Sequence, residues 1–205
     1  QEIAEITDDV LLLASDLDVF RAGTDDVRQR VFGIELSAEL IEVGDLKFVK
    51  YIGARDIEAK VQEIADTIRE DFHEKYPMFL VVMNGAFIYA ADLIRKLDFP
   101  CELNFVRIKS YHGTQSTGNI DIYMPPNIEI AGRHIIIVED IIDTGNSMTA
   151  FINELQKQNP GSISLTAILV KPEAHLHDLT TDYPGFIIPN KFVVGYGLDY
   201  DGMGR

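Results

Sequence analysis

The segment Ile135 to Met148, IIIVEDIIDTGNSM, joins an apolar run to two adjacent carboxylates, Glu139 and Asp140, and then to Asp143 at the head of a small polar turn. Thr144, Gly145, Asn146 and Ser147 follow, offering two hydroxyls, backbone amides and little else. Where a strand gives way to a helix, free N–H groups and the positive end of the helix dipole form an anion site. Gly145 lets a ligand approach the backbone closely. The turn lacks the Gly-Lys-Ser/Thr of a triphosphate-binding loop. Carboxylates beside a phosphate repel it unless they hold sugar hydroxyls or a metal. A phosphorylated sugar satisfies both halves of the segment. Lys171 is a further candidate, because it ends the apolar run ILVK, where a charge is costly unless paired.

These residues need a scaffold that ends its strands at one edge. HIIIVED reads as a strand buried on both faces of a parallel sheet. Further strands are expected at FLVVM, CELNFVRIKSY, SISLTAILVK, GFIIP and KFVVGYGLDY, and helices at Ile57 to Phe72, Ala86 to Leu97 and Ser147 to Lys157. Alternating strands and helices predict an α/β fold with a mainly parallel twisted sheet flanked by helices. Ligands of such sheets bind beyond the carboxyl ends of the strands, where Glu139 and Asp140 stand. Ile3, Ile6, Val10, Leu13 and Leu17 have helical spacing and predict an amphipathic helix over 3–20.

The 205 residues suffice for one domain with a full core, or for a domain plus an appendage. The formal charge of −15 argues against nucleic-acid and anionic-membrane partners. Residues 1–45 carry 12 of the 33 acids and only Arg21, Arg28 and Arg30 against them, so they are expected to form an acidic, helical appendage to a domain at 46–205. No apolar run is long enough to span a bilayer, and no basic leader precedes an apolar stretch. Cys101 is the lone cysteine and reads as a core residue in a reducing, cytoplasmic setting. The five histidines show no metal-ligand spacing and read as surface or loop residues.

The succession VEDIIDTGNS resembles the phosphoribosyl-pyrophosphate motif of the type I phosphoribosyltransferases, whose fold adds a small hood to the sheet. VVMNGAF (81–87), KSYHGTQSTG (109–118), ILVKPE (168–173) and KFVVGYGLDYDGMGR (191–205) resemble the pyrophosphate loop, mobile catalytic loop and purine-reading segments of the hypoxanthine-guanine branch. The resemblance implies purine salvage, with transfer of 5-phosphoribosyl from phosphoribosyl pyrophosphate to hypoxanthine or guanine, giving IMP or GMP and pyrophosphate. It implies Mg²⁺ as cofactor and a homodimer or homotetramer. By the same resemblance Glu139 and Asp140 hold the ribose hydroxyls and bound magnesium water. Asp143 serves purine N7, and Thr144, Gly145, Asn146, Ser147 and Met148 wrap the 5′-phosphate. Lys171 donates to the purine O6, Phe192 stacks on the base, Val193 reads its edge, and Asp199 is a second carboxylate for magnesium. Asn84, Gly85 and Arg205 face pyrophosphate, and Ser110 and Tyr111 belong to a lid spanning 109–124.

Two further features follow from the resemblance: a non-proline cis peptide at Met83–Asn84, and a chain that ordinarily continues well past the position of Arg205. Asn84 departs from the lysine common in relatives. The competing reading is a regulator that keeps the fold and senses phosphoribosyl pyrophosphate without turnover. Ser110, Tyr111 and Asp143 are all present, and the chain is acidic, which favours the enzyme.

Overall fold

The computed structural model describes residues 11–14, 41–43, 46–110 and 120–204, with the backbone alone at 11–14, 110 and 120. The apolar run at 135–138 becomes the middle of β7 (His134–Ile142), and Ile135, Ile136, Ile137 and Val138 are fully buried. A strand buried on both faces also needs partners on both edges. β4 (Met78–Met83) and β8 (Ser162–Val170) supply them, each parallel to β7. β5 (Glu102–Ser110) runs parallel to β4, β9 (Tyr183–Ile187) parallel to β8, and β6 (Ile120–Tyr123) closes the edge antiparallel to β5. The six-stranded order is β6-β5-β4-β7-β8-β9.

Helix α1 (Ala54–Phe72) buries Val61, Ile64, Ala65, Ile68 and Phe72, the stripe that the spacing predicts. α2 (Phe87–Lys96) buries Tyr89, Ala90 and Leu93. α3 (Asn146–Gln156) sends Met148, Phe151 and Leu155 into a core shared with Leu80, Ile137 and Leu165. Each such side chain contributes about 1.5–3 kcal/mol on burial. Among the described residues only Thr166 and Lys171 are buried and polar or charged. Thr166 is satisfied: its hydroxyl donates to the Tyr183 carbonyl at 2.8 Å and meets the Tyr89 hydroxyl. No helix among the described residues is long and apolar enough to cross a membrane.

The chain divides into two units, residues 58–190 carrying the parallel sheet, and residues 1–57 with 191–205. In the latter unit, β1 (Leu11–Ala14), β2 (Ile41–Val43), β3 (Leu46–Ile52) and β10 (Val193–Val194) form an antiparallel sheet in the order β10-β1-β3-β2.

Three expectations are corrected here. Leu11–Ala14 is a strand and not part of a helix over 3–20; a run of three leucines fits either period, and its pairing with both β3 and β10 makes it a strand. A boundary at residue 45 would cut the sheet between β2 and β3, which pair directly. Finally, KFVVGYGLDY is not one strand. Its ladder stops at Val194, because Gly195 (φ 98°), Tyr196 (φ 51°) and Gly197 (φ 103°) turn the backbone into the left-handed region.

Candidate active site

The carboxylates stand near the C-terminal end of β7, where the sheet opens. The Asp140 N–H donates to Glu139 Oε1 at 3.0 Å, and the Ile141 N–H donates to Asp140 Oδ1 at 2.7 Å. Burial, and then the neighbouring Asp140 charge, push the Glu139 carboxyl well above the usual carboxylate range. Behind the pair lies the turn after β4. A Cβ at Gly85 would fall 1.5 Å from Asp140 Oδ2, so only glycine allows the backbone to lie against that carboxylate. The Met83–Asn84 peptide is cis, as the resemblance implies. Asn84 itself is exposed beside the turn.

The polar turn 143–145 leads straight into α3. Gly145 adopts φ 78°, a left-handed conformation that other residues take only at a cost. The first turn of α3 contains no acid and Gly145 has no side chain to cap it; apart from the Asn146 N–H, which reaches Thr144 Oγ1 at 3.4 Å, its N–H groups are open to an incoming anion. Together with Val82, Met83 and Ile108, Gly85 and residues 139–148 line a cleft of about 280 Å³.

Lys171 follows β8. Its N–H donates to the Ile142 carbonyl at 2.9 Å, fixing it beside the end of β7. Its Nζ donates to Asp143 Oδ2 at 3.2 Å. The pair is unequal: the lysine side chain is 6% exposed, the aspartate 51%. The buried ammonium therefore relies on a carboxylate that solvent also reaches.

The donors near the cleft fit a hard divalent cation. Two adjacent carboxylates, one of them driven toward its neutral form by burial and repulsion, gain from a positive charge. Among the described residues no three His, Cys, Asp or Glu side chains converge as a metal cage. A cation here would keep most of its water, as Mg²⁺ does.

The structure thus brings together Gly85, Glu139, Asp140, Asp143, Thr144, Gly145, Asn146, Ser147 and Met148, and Lys171 joins them through Asp143. The Met148 side chain is 3% exposed and packs in the core, so only its backbone can serve a ligand. Phe192, Val193 and Asp199 belong to the other unit. There Phe192 packs against Phe48 and Tyr200, Val193 stands opposite Leu13 in the ladder, and Asp199 accepts from the Gly202 N–H at 2.7 Å. Ser110 is the last residue of β5, with its side chain outside the described residues, as are Tyr111 and Arg205. Residues 111–119 of the expected lid also lie outside them.

Sequence reasoning missed the contacts around the turn. His177 hydrogen-bonds Asn146, and Leu179 lies against Gly145. Neither has a motif or periodicity that could have revealed it.

Residues 51–201 match the model of the phosphoribosyl transferase domain. The chain is 37% identical over 157 residues to the hypoxanthine-guanine-xanthine phosphoribosyltransferase of Tritrichomonas foetus, covering 76% of this chain and 85% of that one. It is 35% identical over 151 residues to the hypoxanthine-guanine phosphoribosyltransferase of Lactococcus lactis, covering 73% and 82%. A crystal structure of a hypoxanthine-guanine phosphoribosyltransferase from Bacillus anthracis, with HEPES in its active site, superposes with a TM-score of 0.70 at 33% identity over 76% of this chain and 90% of that one. With this sheet and a domain match over residues 51–201, and at 35–37% identity to these curated enzymes over most of both chains, the chain belongs to the hypoxanthine-guanine phosphoribosyltransferase family.

Proposed function

We propose that the protein salvages purines in the cytoplasm, transferring the 5-phosphoribosyl group of phosphoribosyl pyrophosphate to hypoxanthine and guanine. One observation carries the reading: a buried lysine, Lys171, is held by Asp143 at the edge of an uncapped helix turn. A phosphate on that turn and a base beside Lys171 place the two ends of a nucleotide within one cleft.

The turn amides of residues 144–148 bind the 5′-phosphate, and Glu139 and Asp140 accept from the ribose hydroxyls. Asp143 accepts the proton at purine N7 as a purine nitrogen attacks the anomeric carbon and pyrophosphate departs. Lys171 donates to O6 of an oxopurine; toward adenine the same ammonium meets an amino group, donor against donor. Glu139 and Asp140 would hold Mg²⁺ through its water, and the ion would supply positive charge against the pyrophosphate. The chain's own contribution is positioning and electrostatic stabilisation of an oxocarbenium-like transition state.

Nucleotide formation from hypoxanthine, guanine, xanthine and adenine, with phosphoribosyl pyrophosphate and magnesium, tests this directly. Conversion of the oxopurines without adenine is expected. Equal use of adenine, or no product from any base, would refute it.

A further inference from the structure

The turn that receives the phosphate has little internal support. Gly145 is left-handed, α3 has no side-chain cap, and the Asn146 N–H reaches Thr144 Oγ1 only at 3.4 Å. What holds it comes from the segment just after Lys171. The Leu176 N–H donates to the Thr144 carbonyl at 3.0 Å. The His177 Nε2–H donates to Asn146 Oδ1 at 2.7 Å. Leu179 lies against Gly145, with Cδ2 3.3 Å from where a Cβ would stand. Three consecutive turn residues are therefore gripped from one side by three residues of a single short stretch.

From this we infer that His177 is a positioning residue for the 5′-phosphate, acting through Asn146; the inference rests on the functional reading above. By taking the Asn146 side chain and the Thr144 carbonyl outward, residues 176–179 leave the turn's amides facing the cleft. Thr144 and Asn146 flank Gly145, the residue with the greatest backbone freedom, so fixing both removes conformations in which the amides diverge. The same stretch begins at Lys171, whose own N–H is anchored to Ile142. Base recognition and phosphate recognition thus share one continuous piece of backbone.

The experiment uses the full chain and compares His177→Ala and His177→Gln with the parent protein. It measures KM for phosphoribosyl pyrophosphate and for hypoxanthine, kcat, and the dissociation constant of inosine monophosphate. His177 is exposed, so neither change threatens folding. Loss of one hydrogen bond to the turn should raise KM for phosphoribosyl pyrophosphate and the nucleotide dissociation constant together, by about 3- to 10-fold. kcat and KM for hypoxanthine should stay unchanged. Glutamine, whose amide N–H can reach Asn146 Oδ1, should recover most of the loss. Leu179→Ala should show the same split without rescue. An unchanged KM for phosphoribosyl pyrophosphate in His177→Ala would overturn the inference and leave the functional reading standing. Equal rises in both KM values with a lower melting temperature would make the contact merely structural and overturn it too. A parent protein that neither turns over nor binds inosine monophosphate would bring down the functional reading itself.

Discussion

Replacing Gly85 with alanine should separate activity from stability. The new Cβ would lie 1.5 Å from Asp140 Oδ2 and 2.5 Å from Cγ, where ordinary contact begins at 3.4 Å. The carboxylate must therefore retreat by roughly 2 Å or rotate away, since backbone in a tight turn yields less readily than a side chain. Moving Asp140 costs its charge-assisted bond from the Ile141 N–H, now 2.7 Å. At a half-buried position that is about 1 kcal/mol, a shift of only a few degrees in melting temperature for a chain of this size. The functional cost is larger, because displacement of a substrate-positioning group by even 1 Å can cost about 10²-fold. kcat/KM for phosphoribosyl pyrophosphate should accordingly fall by about 10²-fold, or ~2.7 kcal/mol in the transition state. Steady-state kinetics beside thermal melting would check both halves. Unchanged kcat/KM in a folded Gly85→Ala protein would mean that Asp140 does not position the sugar.

Other expectations follow from the Asp143–Lys171 pair and from the surface. Asp143→Asn should lower turnover by about 10²–10⁴-fold with little change in KM for phosphoribosyl pyrophosphate, and unchanged turnover would remove Asp143 from the mechanism. Lys171→Met removes a buried ammonium and leaves behind a carboxylate that solvent already reaches, so melting temperature should hold or rise while oxopurine use falls by about 10-fold or more. A preference profile for purines identical to the parent's would exclude Lys171 from base recognition. At the far side of the sheet, the Asn104 amide and then Arg133 hold the Glu102 carboxyl below its usual range. A lowered native value stabilises above the unfolded carboxylate range and is lost as pH falls through the native one. The melting-temperature deficit of Glu102→Gln at pH 7 should therefore shrink as the solution is acidified through about pH 4, and a deficit that stays constant would contradict the assignment.

What could be read from the chain alone was what its local chemistry imposes. Ile135 to Val138 had to be a strand buried on both faces, and Glu139 and Asp140 before an Asp-Thr-Gly turn marked its end as the place to look for a ligand. The strand at Leu11–Ala14 was illegible because its leucines fit either period, and only pairing with β3 and β10 decides between them. β10 was overextended for the opposite reason: apolar residues continue past Val194, but Gly195 and Gly197 let the backbone leave the ladder.

Gly85 shows how the two kinds of information meet. Its presence in VVMNGAF could be noted in the sequence, yet nothing local requires it, since no positive φ is recorded there. The requirement comes from Asp140, 55 positions later in the chain, whose carboxylate fills the space a side chain would take. Burial and the Asp140 charge both disfavour the ionised form of Glu139, and ribose hydroxyls or a cation at the pair would relieve that. Acids at the end of a buried strand cost stability in the free protein, and a polar ligand bound against them would offset that cost. On that argument the residues least favourable to the fold are those that most favour the ligand.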